Sequence, residues 1–453
     1  MKTRRGGWKT HLLILLLLGL ECSALAESEA SSPAAHNPET DEPPAKFMKL
    51  SFGGSLRFRF ETCHNFNIKG YGKGGDEFLL ERLRWHADLR FRNGLRVYAE
   101  LQDAHQWGSE FGVGDFNGNS PYENPLDIRQ MFIQWDHIAG KPWGVKVGRQ
   151  EIFFGDNRIF GPGDWGNVGS HLWDAAMVRY DINQFAADVF LGKLIKYESA
   201  SWDIDDQHYD YDVVGMYATL KQLPVNAEAF IVAKLGQSPR IGDASRTEKE
   251  HRFTGGFRLN DHIGTCLNYG GLFAYQGGTW GEDRIRAFGA NVQVGYTFKN
   301  PWQPHLGAEF TYGSGDRDPN DKTMETFDGV FGSRDKLYGR MNLMAWSNLR
   351  DYQLSASAKP TARLTTQVDY HFFRLAECYD YWYYSRSKGL RLDPTGAAGS
   401  SLGREIDLIV GYRLNKKWSG TLIGGYFEPA SFINDTGSSG DAHWACLQIL
   451  YEF

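Results

Sequence analysis

The amino-acid sequence predicts an all-β protein: a transmembrane antiparallel β-barrel of about 18 strands, with short periplasmic turns and long extracellular loops. Three observations predict it. Strand-length segments alternate between apolar and polar residues. The connections between those segments are alternately short and long. The chain stops on Phe453, at the end of "HWACLQILYEF", an alternating run with Ala445, Leu447, Ile449, Tyr451 and Phe453 on one face.

The alternation is plainest in "RLRWHADLRFRNGLRVYAEL", residues 82–101. Successive strand side chains point to opposite faces. One face therefore carries Arg82, Arg84, His86, Asp88, Arg90 and Arg92, and the other Leu83, Trp85, Ala87, Leu89 and Phe91. Asn93-Gly94 marks a tight hairpin, because a type I′ turn needs positive φ at both central residues. Leu95, Val97, Ala99 and Leu101 then resume the apolar face, with Arg96 and Glu100 on the polar one. A soluble sheet would lay its apolar face on a core. In a membrane barrel that face meets lipid and the polar face lines a wet interior. The same alternation recurs at Leu56, Phe58 and Phe60 against Arg57, Arg59 and Glu61. It recurs at Leu306, Ala308, Phe310 and Tyr312 against Glu309 and Thr311, and at Ile406, Leu408, Val410 and Tyr412 against Glu405, Asp407 and Arg413. Polar or small inward sets favour an aqueous lumen, which a barrel this wide leaves open unless loops or a plug close it. No separate plug domain is evident.

The ends and the composition agree. Lys2, Arg4 and Arg5, an apolar run from Leu12 to Leu20, and Ala24-Leu25-Ala26 read as a signal peptide over residues 1–26. That run is too short to span a bilayer as a helix. Residues 27–46, rich in Glu, Ser, Ala and Pro, read as a disordered periplasmic leader, which leaves residues 47–453 for the barrel. No later stretch is long and apolar, and the mean hydropathy is negative, which excludes a helical membrane protein. Aromatic residues make up 14%, as suits the girdles of a membrane barrel. A net charge of −6 gives no support for a nucleic-acid partner. Cys63, Cys266, Cys378 and Cys446 match neither a zinc spacing nor a disulfide framework, although Cys63 and Cys446 would come near each other across the first and last strands.

Short turns are expected at 93–94, 137–143, 181–183, 223–224, 260–262, 299–304, 359–361 and 415–417, each carrying Gly, Pro, Asn or Asp. Long connections are expected at 63–77, 103–126, 154–173, 198–208, 237–250, 276–283, 314–350, 376–403 and 429–441. Seventeen connections join 18 strands, and even parity brings both ends to the same side.

The segment "VGRQEIFFGDNRIFGPGDWGNVGSHLWDAAMVRYD", residues 147–181, resembles the signature of the alginate-export family of outer-membrane porins. The elements that carry the resemblance are Gly148-Arg149-Gln150, Gly155-Asp156 with Arg158, Gly161-Pro162, Trp165, Asn167, Asp174 and Arg179. "FDGVFGS" at 327–333, "SNLRDYQL" at 347–354, "DYHFFRLAE" at 369–377 and "GREIDLIVGY" at 403–412 fit as well. The resemblance implies an 18-stranded barrel with a basic pore for an anionic polyuronate. The exporter branch also carries periplasmic gating elements, whereas the turn at 415–417 is minimal here.

Guanidinium stays protonated and grips a carboxylate in a bidentate fork. A chain of such groups offers an anionic polymer successive weak sites, and conduction needs sites weak enough to release. The expected pore lining is Arg57, Arg59, Arg82, Arg84, Arg90, Arg92, Arg96 and Arg179, with Arg149, Asp156 and Arg158 from the signature and Arg374 and Arg404 near the mouth. The bland alternative is that these charges pair across strands. Arg149 shares the parity of the lipid-facing Val145 and Val147, so a bulge or a strand end has to turn it inward. The loop at 154–173 is the candidate constriction, against the alternative of a surface loop. Asp316, Asp318 and Asn320 begin like a calcium loop, but Asp321 and Phe327 stand where Gly and Glu belong, so no metal cofactor is expected. No nucleophile elbow, zinc helix or P-loop is present, and His305 and Glu309 are not nominated as a catalytic set. The expected partners are outer-membrane lipid, the barrel-assembly machinery that reads the terminal strand, and an anionic polysaccharide; the alternatives are a porin for small organic anions, a barrel-rim enzyme and an adhesive barrel.

Overall fold

The computed structural model describes residues 47–453 apart from residue 164, residues 200–203 and residues 386–387. The expected signal peptide and leader lie outside the described residues. The principal sheet has 19 strands. One of them, Thr323–Met324, is two residues long and runs parallel to a neighbour; the other 18 close into an antiparallel barrel. In chain order these are β1 (Met48–His64), β2 (Asp76–Phe91), β3 (Leu95–Trp107), β4 (Asn124–Trp135), β5 (Trp143–Glu151), β6 (Leu172–Asp181), β7 (Phe185–Ile195), β8 (His208–Leu220) and β9 (Asn226–Arg240). They continue as β10 (Asp243–Ile263), β11 (Leu267–Trp280), β12 (Asp283–Thr297), β13 (His305–Gly313), β14 (Leu349–Ala358), β15 (Leu364–Leu375), β16 (Ser401–Arg413), β17 (Trp418–Pro429) and β18 (Ala442–Glu452). β1 pairs with β2 on one side and with β18 on the other, from Ser55 opposite Glu452 to His64 opposite His443, which seals the barrel. Phe453 completes the seam: it exchanges two backbone hydrogen bonds with Gly54, each 3.0 Å. A Cβ at Gly54 would meet the Arg84 carbonyl at 2.3 Å and the Phe453 ring at 2.7 Å, so this close approach requires glycine. Cys63 stands opposite Trp444, and Cys446 opposite Glu61; both thiols are free.

The eight short turns all occur, with one shifted. The expected 260–262 turn lies at 264–266, because β10 runs on to Ile263 and Gly264 supplies the positive φ of 64°. Two connections expected to be long are short. β9 and β10 are joined by Ile241-Gly242, and β11 and β12 by Gly281-Glu282. The polar stretches are paired strand instead, with Gln237 opposite Lys249 and Ser238 opposite Glu248. A membrane strand needs about 9–11 residues. β10 has 21, so its surplus extends beyond the bilayer, where polar side chains on both faces carry no penalty.

The lipid face follows the alternation: Leu83, Trp85, Val147, Leu354, Leu408 and Leu447 are all exposed. The inner face has a gradient that the polar–apolar alternation did not reveal. Toward the short turns the inward residues are polar, such as Glu228, Gln293 and Gln367. Toward the long loops the same strands turn apolar inside, as Phe230 and Val232, Ala287 and Ile285, and Phe373 and Leu375. Those residues bury against the loops at 152–171 and 314–348, where Phe160, Phe327, Phe331, Tyr338 and Trp346 join one hydrophobic cluster with Trp173, Phe190 and Phe427. The long-loop half of the interior is therefore narrowed by these loops, and the inner wall of the short-turn half is polar.

Candidate pore lining

The loop at 152–171 runs across the barrel between two anchor sets. At one end Arg57 donates to the carbonyls of Trp165 (3.3 Å) and Gly166 (3.0 Å) and to Asn167 Oδ1 (3.2 Å). Arg59 donates to the same Trp165 carbonyl and lies 4.3 Å from the centre of the Trp165 ring. Arg82 reaches the Gly166 carbonyl at 3.4 Å. All three arginines are buried. At the other end Arg158 bonds Asp156 (3.1 Å) and the carboxylate of Glu309 on β13, and Asp156 faces Arg258 on β10 at 3.8 Å. In the 18-strand circuit, β10 and β13 stand far from β1 and β2, so the loop crosses the lumen.

The loop at 314–348 meets it there. Phe331 donates to the Ile159 carbonyl (3.1 Å), Gly161 to the Phe331 carbonyl (3.2 Å) and Ser333 to the Asn157 carbonyl (2.9 Å). This second loop hangs from an acidic sector. Glu405 accepts the Met341 amide at 2.9 Å, and Asp407 the Arg340 amide at 3.0 Å. Asp351, paired with His371 at 3.0 Å, and Asp369 lie on the neighbouring strands β14 and β15. Wall cations thus hold loop carbonyls, and wall carboxylates hold loop amides, each charge matched to the backbone group it can bond.

Below the first loop, on the polar side, Arg84 donates to Gln102 (2.8 Å), and Gln102 passes a hydrogen bond to the Val168 carbonyl (2.9 Å). Arg90 (3.0 Å) and Arg96 (2.8 Å) both engage Asp88. Arg179, half exposed, lies near the short-turn end beside Asp181 (3.5 Å) and Asp188 (3.9 Å). Basic groups therefore concentrate on β1–β3 and acidic ones on β13–β16.

Four of the expected lining residues stand elsewhere. Arg92 is exposed in the first short turn, one residue past the end of β2. Arg374 lies on the exposed face of β15 and bonds Ser400, because Phe373 and Leu375 take the inward positions. Arg404 pairs on the exposed face of β16 with Glu428 at 3.0 Å, since Glu405 and Asp407 face inward. Arg149 keeps the parity of Val145 and Val147. At the end of β5 it is buried, holding Asp174 (3.0 Å) and the Asp205 carbonyl.

Among the cations that sequence reasoning passed over are Arg129, Arg258 and Lys146. Arg129 bonds Val168, Tyr197 and Glu151 from a bulge in β4, where simple alternation gives no guide. Arg258 holds Glu228 at 2.7 Å. Lys146 faces inward between Val145 and Val147, a parity that "WGVKVGRQ" already displays.

A closed transmembrane barrel with charged inner walls and loops folded across its lumen is an outer-membrane channel of the porin type. Its backbone is similar to solved porins. OccK3 (OpdO) of Pseudomonas aeruginosa matches with a TM-score of 0.58 at 10% identity, over 89% of this chain and 95% of that one. OccAB2 of Acinetobacter baumannii matches with a TM-score of 0.60 at 10% identity, over 89% and 98%. OccK5 (OpdH) of P. aeruginosa matches with 0.53 at 14% identity, over 89% and 98%. At such identities the likeness concerns the fold. No curated protein matches the sequence. The chain belongs to the alginate-export family, which matches residues 48–445.

Proposed function

We propose that this channel passes an anionic saccharide chain, alginate or another polyuronate, along the basic wall formed by β1–β3. The observation that carries the reading is the placement of Arg84, Arg90 and Arg96 on neighbouring strands in the polar half of the lumen. Two of these arginines share one carboxylate, Asp88, so the sector keeps an excess of positive charge. Charge separation within about a Debye length of 8–10 Å sets the local field whatever the net charge of the chain. Elsewhere in the polar half Gln293, Gln353, Ser355 and Gln367 present amides and hydroxyls suited to sugar hydroxyls. Family and fold favour a channel over an enzyme. One feature favours a second reading, a porin for small organic anions: the two loops that meet across the lumen narrow the path in the long-loop half.

Reversal potentials in planar bilayers test the proposal. The intact barrel is expected to prefer anions, to be blocked by an oligouronate more strongly than by a neutral oligosaccharide, and to lose its preference when Arg84, Arg90 and Arg96 become Ser. Cation selectivity of the intact protein would overturn it. Block by small carboxylates equal to that by the oligouronate would favour the second reading.

A further inference from the structure

We infer that Lys146, with Arg96 beside it, forms a carboxylate-binding subsite on the lumen wall, a step on the path of the anion. The inference rests on the anion-channel reading and names a residue and a ligand group within it.

Lys146 lies on β5 between Val145 and the lipid-facing Val147, 55% exposed, so its side chain takes the inward parity of Gly144 and Gly148. Its ammonium sits 4.0 Å from the centre of the Phe132 ring. The Arg96 guanidinium lies over the same ring at 5.5 Å, and over Tyr98 at 4.9 Å. Two cations therefore share one aromatic surface. The ring stabilises them through its quadrupole and takes up none of their hydrogen-bond donors.

Their other partners differ. Arg96 commits two donors to Asp88, at 2.8 and 2.9 Å. Among the described residues no carboxylate lies within ion-pair distance of Lys146, and no acceptor takes a hydrogen bond from it. The acids nearest in its field are engaged elsewhere: Asp136 with Gln134 (2.6 Å), Glu151 with Arg129 (2.5 Å) and Asp188 with Arg179 (3.9 Å). A half-buried ammonium with three open donors is costly unless water or an anion meets it. On its own strand the inward neighbours are Gly144 and Gly148, which set no side chain beside it. The Asp136 carboxylate, 2.9 Å from where a Gly144 Cβ would stand, borders the site on one side and the Phe132 ring on the other. The anchoring arginines Arg57, Arg59 and Arg82 hold the cross-lumen loop and Arg90 holds Asp88. Lys146 keeps its donors to offer a passing carboxylate. One ammonium over a ring binds weakly, as a conducting site must.

The test uses the full barrel in planar bilayers, with folding checked by heat-modifiable mobility, and compares Lys146→Gln, Lys146→Met and Lys146→Arg. The probes are a uronate trimer, gluconate and a neutral trisaccharide. Both neutral variants are expected to need about tenfold more trimer for half-block, the loss of one charge-assisted contact, while Lys146→Arg stays near wild type and block by the neutral trisaccharide does not change. A matching loss for gluconate identifies a site for any carboxylate; a loss confined to the trimer identifies one that reads the uronate chain. Unchanged block by the trimer in both neutral variants, in a barrel still anion-selective, overturns the subsite and leaves the channel reading standing. Equal loss in Lys146→Arg also overturns it, since charge would then not be the determinant. Cation selectivity of the wild type defeats the channel reading itself.

Discussion

Asn167 is the keystone of the cross-lumen loop, and its truncation to Ala makes a quantitative test. The side chain is fully buried. Its Nδ2 donates to the carbonyls of Tyr122 (2.7 Å), His105 (3.0 Å) and Glu81 (3.1 Å), and its Oδ1 accepts from Arg57 (3.2 Å). Two N–H groups serve three carbonyls, so Asn167→Ala removes two neutral hydrogen bonds at about 0.5–1.5 kcal/mol each and one to a charged donor at about 1.5–3 kcal/mol. Arg57 keeps the Trp165 and Gly166 carbonyls, which places the net cost at the lower end, about 3 kcal/mol. At about 1.4 kcal/mol per tenfold, the loop should open roughly a hundredfold more often. Hydrogen exchange reads this directly, because the Val168 amide is protected by the Pro121 carbonyl at 3.3 Å. Its exchange should accelerate about a hundredfold, amides of β1 and β2 should be unaffected, and single-channel records should show more frequent high-conductance events. Unchanged protection of Val168 in the variant would refute the anchoring scheme.

Two further outcomes are expected. Leu354→Arg, at a lipid-facing position 60% exposed near the middle of β14, should cost about 2–4 kcal/mol in a folding assay in lipid, and the adjacent lumen-side Gln353→Arg much less; equal costs would mean that the register is wrong. In the outer loops, burial and the neighbouring Asp380 push Asp316 up to about 7, with Asp321 adding to the repulsion and Arg240 opposing it. The folded loop thus holds this proton more tightly than the unfolded one. That stability is fully present below about pH 4 and lost as pH rises through about 7, so proteolysis of 314–325 should increase over that window in wild type and become flat in Asp316→Asn. A wild-type protease profile without any rise over that window would refute it.

Much of the barrel was legible in the chain. Period-two alternation is imposed residue by residue by strand geometry, so "RLRWHADLRF" announces both its lipid face and its inward arginines without reference to anything distant. Turn chemistry at Asn93-Gly94 and its counterparts gave the strand count, because each turn is also local. Where the pattern was read too literally it misled. The polar stretch at 237–250 reads as loop by its composition, yet a strand outside the bilayer is free to be polar on both faces. Arg374 and Arg404 are basic residues expected near the pore mouth, yet their own parity sends them out.

What the arginines hold was decided only by the tertiary structure. Arg57 meets Asn167 across 110 residues and Arg158 meets Glu309 across 151. A guanidinium is satisfied equally by a loop carbonyl, a wall carboxylate or a passing anion, so no local pattern distinguishes an anchor from a binding site. The closed barrel makes that choice by geometry: it brings the loop at 152–171 within reach of three arginines, and leaves Lys146, whose inward parity is legible but whose partners are not, without an acceptor among the described residues.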